Sequence, residues 1–283
     1  MQKTHSLFAL SAALCLSLFA ASANAEQKII SAGSAVTELL IALRQQDKIV
    51  AVDVTSQLPQ GMTRPMVGYH RQLSSEGLLA TGANQVIGSD EMGPKTTLDQ
   101  LKSAGIEVDI VNTKPTPEGL MERIDQLASL THSEQKAQSV KHQVQKQLDE
   151  LSKNKPQTGT EKKVLFLLIH EGRPANVAGK NTTPDEIIHL AGALNPAAKE
   201  LESYRPLSNE AIIEMQPDVV LVSTRSFKQM GGADAVLKAL PMLAATPAGQ
   251  QKQIIPIDGH ALVGGLGLKS LDEARRINQL IYP

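Results

Sequence analysis

The segment Gly68-Tyr69-His70-Arg71 carries the residue types best suited to chemistry. It follows a strand-like Met66-Val67 and precedes Ser74, a helix-capping residue. That order predicts a loop at the carboxyl end of a strand, where open α/β sheets bind ligands. Tyr69 joins an aromatic body to a phenol, and a cation two residues away, Arg71, would stabilise the phenolate. A tyrosinate is a hard anionic ligand for ferric iron, the iron of haem included. A partly buried tyrosine beside an exposed arginine is the commoner arrangement for any Tyr-x-Arg, and the residues alone leave both readings open. Tyr204-Arg205 offers a second such pair, and two arginines facing one cleft would suit an anionic ligand carrying carboxylates. His170 closes the apolar run that starts at Val164. It would offer a neutral imidazole to a metal, or bond to backbone as a strand-end histidine.

These residues sit in a repeat. Arg71-x-Leu73-Ser74-x-Glu76 recurs as Arg205-x-Leu207-Ser208-x-Glu210, and the same offset carries Val86-Ile87 onto Val220-Leu221 and Ser89 onto Ser223. An ungapped match of that length predicts two similar lobes, each with a loop, a helix and a buried strand in the same order. Two lobes joined once form a cleft, and clefts bind ligands. Glu76 and Glu210 fall in the first turns of the two helices. There they favour the helix dipole by about 0.3–1 kcal/mol. As matched acids, one per lobe, they would also suit docking onto a partner with two symmetric basic sites.

The elements that must position these loops read as alternating strands and helices. Strands are expected at 28–31, 48–53, 84–89, 107–111, 163–169, 218–223 and 253–257, with helices such as 35–43, 75–81 and 185–191 between them. That alternation predicts an α/β fold with central, mainly parallel sheets. Thr116-Pro117-Glu118 is a helix start. Thr131-His132-Ser133-Glu134 has capping-box spacing and is expected to open a second helix running to Asn154. That helix would be about 33 Å long. Its apolar positions, Ala137, Val140, Val144, Leu148 and Leu151, form one narrow stripe, as expected of a helix bridging two lobes. One long helical connection would keep closure around a ligand small. The expected division is 1–25 signal peptide, 26–116 first lobe, 117–155 helical connection and 156–283 second lobe.

Residues 1–25 hold Lys3, an apolar run and Ala23-Asn24-Ala25, the pattern of a cleavable export signal with cleavage after Ala25. The one cysteine, Cys15, lies inside it, so the mature chain would lack disulfides and Cys-ligated metals. Removing the segment leaves 258 residues and a formal charge of −2, with nothing resembling a nucleic-acid surface. Aromatic residues make up 2% of the chain and tryptophan is absent.

Catalytic motifs are missing: there is no Gly-x-Ser-x-Gly, no Walker loop and no His-Glu-x-x-His. Gly264-Gly265-Leu266-Gly267 lacks phosphate-loop spacing and reads as a tight turn. An exported metal enzyme would have to use His70, His170 and His260 on strand-end loops. His132 and His142 on the proposed bridge, and His189 on a helix, read as surface or packing positions.

Ile30-Ser31-Ala32-Gly33, Thr37-Glu38-Leu39-Leu40 and Ile49-Val50-Ala51-Val52-Asp53 are similar to the opening of periplasmic binding proteins with a single helical backbone. Those proteins serve ATP-driven importers of siderophores, cobalamin and haem. Gly68-Tyr69-x-Arg71-x-Leu73-Ser74-x-Glu76-Gly77, Leu190-Ala191-Gly192-Ala193-x-Asn195 and Tyr204-Arg205-Pro206-Leu207-Ser208-x-Glu210 most resemble the haem-binding, HmuT-like branch. The resemblance covers essentially all of 26–283. It implies a periplasmic monomer, not an enzyme, that captures ferric haem and delivers it to an inner-membrane ABC permease dimer with its ATPase. A siderophore or corrinoid carrier of the same class is the alternative. The resemblance implies Tyr69 as axial iron ligand, with Arg71 and His70 beside it. It also puts Tyr204, Arg205 and His170 on the opposite wall, His170 as a second ligand, and makes Glu76 and Glu210 the permease contacts. Where the family often has an aromatic glycine turn ending in Pro-Arg, this chain reads Val263-Gly264-Gly265-Leu266-Gly267-Leu268-Lys269. Aliphatics and the methionines Met66, Met92 and Met230 are then expected to cover the porphyrin.

Overall fold

The computed structural model describes residues 26–169 and 174–283. The expected signal segment with Cys15 and its cleavage after Ala25, and also His170, lie outside the described residues.

Short apolar runs rich in Ile and Val form strands, because β-branched side chains suit a pleated surface covered on both faces. Strands β1 (Ile29–Ala32), β2 (Ile49–Val52), β3 (Gln85–Ser89) and β4 (Glu107–Val111) pair in parallel in the order β2-β1-β3-β4. Helices α1 (Ser34–Ala42), α2 (Ser75–Leu79) and α3 (Lys95–Ser103) lie between them in sequence. The chain steps out from β1 to β2 and returns past β1 to β3, so the loops after these strands diverge at their carboxyl ends.

Two helices follow. In α4 (Pro117–Thr131) the Thr116 hydroxyl accepts from the amide of Gly119, with Pro117 at the first position. The cap of α5 (Glu134–Lys153) is Ser133, not Thr131. The Thr131 hydroxyl instead donates back to the Leu127 carbonyl and bonds the Ser133 hydroxyl, so no capping box forms. His132 occupies the turn with φ 55°, off both helices. The α5 stripe is as narrow as its pattern implies: Ala137, Val140, Val144 and Leu151 are buried. Each Val or Leu so buried contributes about 1.5–3 kcal/mol relative to exposure.

The second sheet holds β5 (Val164–Leu168), β6 (Asn176–Ala178), β7 (Tyr204–Pro206), β8 (Val219–Ser223) and β9 (Ile254–Ile257) in the order β7-β6-β5-β8-β9. Here β5, β8 and β9 are parallel, while β6 and β7 add an antiparallel edge that the sequence pattern did not reveal. Around them lie α6 (Thr183–Leu190), α7 (Asn209–Met215), α8 (Thr224–Met230), α9 (Ala233–Ala239), α10 (Pro247–Gln250) and α11 (Leu268–Ile281). The repeat is structural: Ser74 and Ser208 occupy the N-cap positions of α2 and α7, each followed by the buried strand β3 or β8, though only the Ser208 hydroxyl accepts a capping bond, from the Ala211 amide.

One buried core continues from the first sheet through Leu127, Val140 and Val144 to Val164, Phe166 and Ile277 of the second half. The C-terminal segment also folds back on the first half. Arg123 of α4 donates to the Leu266 carbonyl at 2.6 Å. Glu38 of α1 accepts from the amides of Leu268 and Lys269 at 2.7 and 3.2 Å. The halves are therefore held by more than α5. Among the described residues no helix is long and apolar enough to cross a membrane.

Candidate functional site: a cleft between the two sheets

A cavity of about 610 Å³ opens between the halves. Its first wall carries Tyr69, His70, Arg71 and Glu91, and its second carries Phe166, Leu168, Tyr204 and Ser223. Glu91 follows β3, Ser223 ends β8 and Leu168 ends β5, so both walls are built from carboxyl ends of strands. Val263, Gly264 and Gly265 of the C-terminal segment close one side. The double-glycine turn is real, with φ of 86° and 85°, but it also lines the cavity.

Gly68 takes φ 93°, a left-handed value that glycine adopts without strain, just before the chain enters the cavity wall. Tyr69 then stands 39% exposed, with its ring edge-on to His70 at a centroid distance of 4.6 Å. His70 itself is fully buried. Its Nδ1 lies 3.0 Å from Oδ2 of Asp53, a carboxylate that also accepts from the Gly33 amide and the Thr55 and Ser56 hydroxyls. Burial favours the neutral imidazole. The hydrogen bond to Asp53 and the charges of Asp53 and Glu91 outweigh it, so the imidazole titrates above its ordinary value. Burial likewise raises Asp53, and its four hydrogen bonds overcome that and hold it below the usual carboxylate range. Arg71 makes an ion pair with Glu91.

On the facing wall Tyr204 packs edge-on against Phe166, 6.4 Å between centroids. Desolvation, then the Glu91 charge, push its phenol upward, so it stays protonated. Tyr204 and Arg205 do not act together. Neighbours on a strand point to opposite sides, and Arg205 is exposed and outside the cavity lining. Arg71 and Arg205, equivalent in sequence, thus lie in a 3₁₀ turn (70–72) and in edge strand β7, and only Arg71 faces the cleft.

Other expectations are redistributed. Met66 is 70% exposed, Met92 is buried beside Leu73 and Leu78, and Met230 packs near Phe227; none lines the cavity. Its apolar surface comes from Phe166, Leu168, Leu262, Val263 and Pro115. His260 donates from Nδ1 to the Thr55 carbonyl, 2.6 Å away, and lies outside the cavity lining. His132, His142 and His189 are exposed. Among the described residues no group of three or more His, Cys, Asp or Glu side chains is placed to hold a metal ion. Glu76 and Glu210 are exposed in the first turns of α2 and α7. Asp53 and Glu91 carry much of the site's electrostatics and were not singled out from sequence. Their one signal was an acid immediately after, or two residues after, a buried strand.

The description "Periplasmic binding protein" matches residues 29–261. The chain belongs to that family. The crystal structure of the periplasmic heme binding protein HutB of Vibrio cholerae is 60% identical, covering 91% of this chain and 100% of that one with a TM-score of 0.87. A periplasmic heme binding protein from Pseudomonas aeruginosa is 34% identical over 91% of this chain and 93% of its own, TM-score 0.85. The vitamin B12-binding protein of Vibrio campbellii is 28% identical over 72% of this chain and 74% of its own length. The TM-scores of 0.87 and 0.85 show that the two-sheet fold is shared with these structures.

Proposed function

We propose that this periplasmic binding protein captures ferric haem in the cleft and hands it to an ABC permease dimer, with its ATPase, in the inner membrane. The observation that carries the reading is Tyr69: a partly exposed phenol in the cavity wall, two residues from Arg71. Tyrosinate is an established axial ligand for haem iron. The 60% identity to a heme binding protein supports the same reading. Tyr69 would ligate the iron, Arg71 would meet a propionate, and Tyr204 and Phe166 would flank the ring from the other wall. His170, two residues beyond the cavity-lining Leu168, is the candidate second ligand. The aliphatic lining suits a porphyrin face. In this reading the protein works as a monomer with no catalytic step, exported after cleavage at Ala25. Its lobes are 26–116 and 156–283, linked by 117–155. Glu76 and Glu210 dock to the two halves of the permease.

A corrinoid carrier is the second reading, favoured by the vitamin B12-binding relatives. Parallel titrations with haemin, cyanocobalamin and a ferric siderophore separate them. A saturable Soret shift with haemin and no response to the others supports haem. Saturation by cyanocobalamin instead would overturn it.

A further inference from the structure

The first lobe carries a groove at its end away from the cleft. Helix α1 starts beside the cleft, where the Ala35 amide donates to the carbonyl of the cavity-lining Val263. It ends at Ala42, about 12 Å further along the helix axis. Two adjoining cavities of about 580 and 590 Å³ open there, and Ile41 and Arg44 line both. One lies between the end of α1 and the segment 59–64, the other between the end of α1 and α5. Arg44, Arg64 and Lys136 face them with one acid, Asp47, a net charge of +2 in a chain that is negative overall. Among the described residues none of these four is in an ion pair. Arg64 donates to the Ile49 and Thr63 carbonyls, which leave its charge unbalanced. Arg44 stands at φ 62°, in the left-handed position of the turn that ends α1. There its amide bonds the Ile41 carbonyl and the Gln45 amide bonds the Leu40 carbonyl. Glycine is the usual residue in that turn, so the arginine side chain is kept at a conformational cost.

The α5 wall of the groove is uncharged apart from Lys136. Gln135, Ser139 and Gln143 are exposed and spaced by four, so they form one row along the helix. Side-chain amides both donate and accept, as an extended main chain requires. Ile41, Met62 and Val140 add apolar lining between the cations. We propose that this groove binds an extended acidic segment of a partner protein. Its carboxylates meet Arg44, Lys136 and Arg64, its main chain bonds Gln135 and Gln143, and its apolar side chains rest on Ile41, Met62 and Val140. A lipid headgroup or free phosphate would use the cations and leave the amide row and the apolar lining idle. The groove and the cleft lie at opposite ends of α1, so a partner held here leaves the cleft open. The inference is independent of which ligand the cleft takes.

The test titrates residues 26–283 into a fluorescent peptide of repeating Glu-Glu-Leu at low salt and follows its anisotropy. The same peptide with Gln in place of Glu, and vesicles of phosphatidylglycerol, are run beside it. The proposal predicts saturable binding of the acidic peptide, weakening as added salt screens the charges, and little binding of the Gln peptide. Arg44→Gly suits the left-handed turn and so preserves the fold. Combined with Lys136→Gln it removes two exposed charge contacts, each worth about threefold, and should weaken the acidic peptide by about tenfold. Lys199→Gln, at an exposed lysine outside the groove, should leave peptide binding unchanged. Equal binding of the Glu and Gln peptides, or acidic-peptide binding that survives Arg44→Gly with Lys136→Gln, overturns the proposal. So does binding to the vesicles without binding to the peptide, which would assign the groove to a lipid surface instead.

Discussion

Glu38 sits where the two halves meet, and its carboxyl should make stability fall as pH rises from about 4.5 to about 7. Burial pushes it from an ordinary value of 4.5 up to about 7, against the lowering effect of hydrogen bonds from the Lys269 and Leu268 amides and the charges of Lys269 and Arg123. The folded state thus holds a proton that the unfolded chain releases, so the charged form opposes folding above the unfolded value. At ~1.4 kcal/mol per pH unit, the rise to about 7 corresponds to roughly 3 kcal/mol lost between pH 4.5 and pH 8. Glu38→Gln keeps the shape and removes the titration. One amide oxygen still accepts from Leu268, while the amide nitrogen faces the Lys269 N–H and forfeits that bond, costing about 1 kcal/mol. The variant should be about 1 kcal/mol less stable than the wild type at pH 4, about equal to it near pH 5 and about 2 kcal/mol more stable at pH 8. Urea unfolding from pH 4 to pH 9 reads this as crossing curves. His70 titrates in the same direction in both proteins and cancels in the difference, because a raised histidine stabilises below its unfolded value and loses that contribution as pH rises. Wild-type and variant curves that stay parallel across the range would refute the reasoning.

Other perturbations have equally definite outcomes. Asp53→Ala leaves the buried His70 Nδ1 and the Gly33 amide without their acceptor and should destabilise by about 1–3 kcal/mol for each group so orphaned, read as a lower urea midpoint. Gly265→Ala forces a side chain onto φ 85°, with its Cβ 2.4 Å from the Arg123 guanidinium and 2.5 Å from the Thr113 carbonyl. A melting experiment should show a loss of about 1–3 kcal/mol, together with weaker ligand binding because Gly265 lines the cavity. Reversing both exposed acids, Glu76→Lys with Glu210→Lys, should leave haemin affinity unchanged and abolish stimulation of the reconstituted transporter's ATPase; retained stimulation would remove them from the docking surface.

The sequence was most informative where one chemical pattern has one physical solution. Continuous Ile/Val runs gave buried parallel strands, the Ser208 cap gave α7, and the apolar stripe of α5 gave a thin line of four buried side chains. It was least informative where tertiary contacts decide. Strands β6 and β7 are three residues each, too short to alternate, and exist because β5 offers an edge. That edge is also what turns Arg205 away from the cleft while its sequence twin Arg71 stays in. His70 reads as a loop histidine beside a tyrosine. Its burial depends on Asp53, 17 residues earlier, and on Glu91 beyond the next strand. The methionines were expected at the porphyrin because aromatics are scarce. The fold instead uses Met92 as core and takes Leu262 and Val263 from the C-terminal segment, whose return to the first half hangs on Arg123 and Glu38 rather than on any local motif.

The central claim, haem held through Tyr69, is tested most directly by titrating haemin into residues 26–283 beside the Tyr69→Ala variant and following the absorption spectrum. The account predicts a saturable Soret shift with a tyrosinate-to-iron charge-transfer band in the wild type, and loss of that band with much weaker binding in the variant. An identical spectrum and affinity in Tyr69→Ala would contradict it.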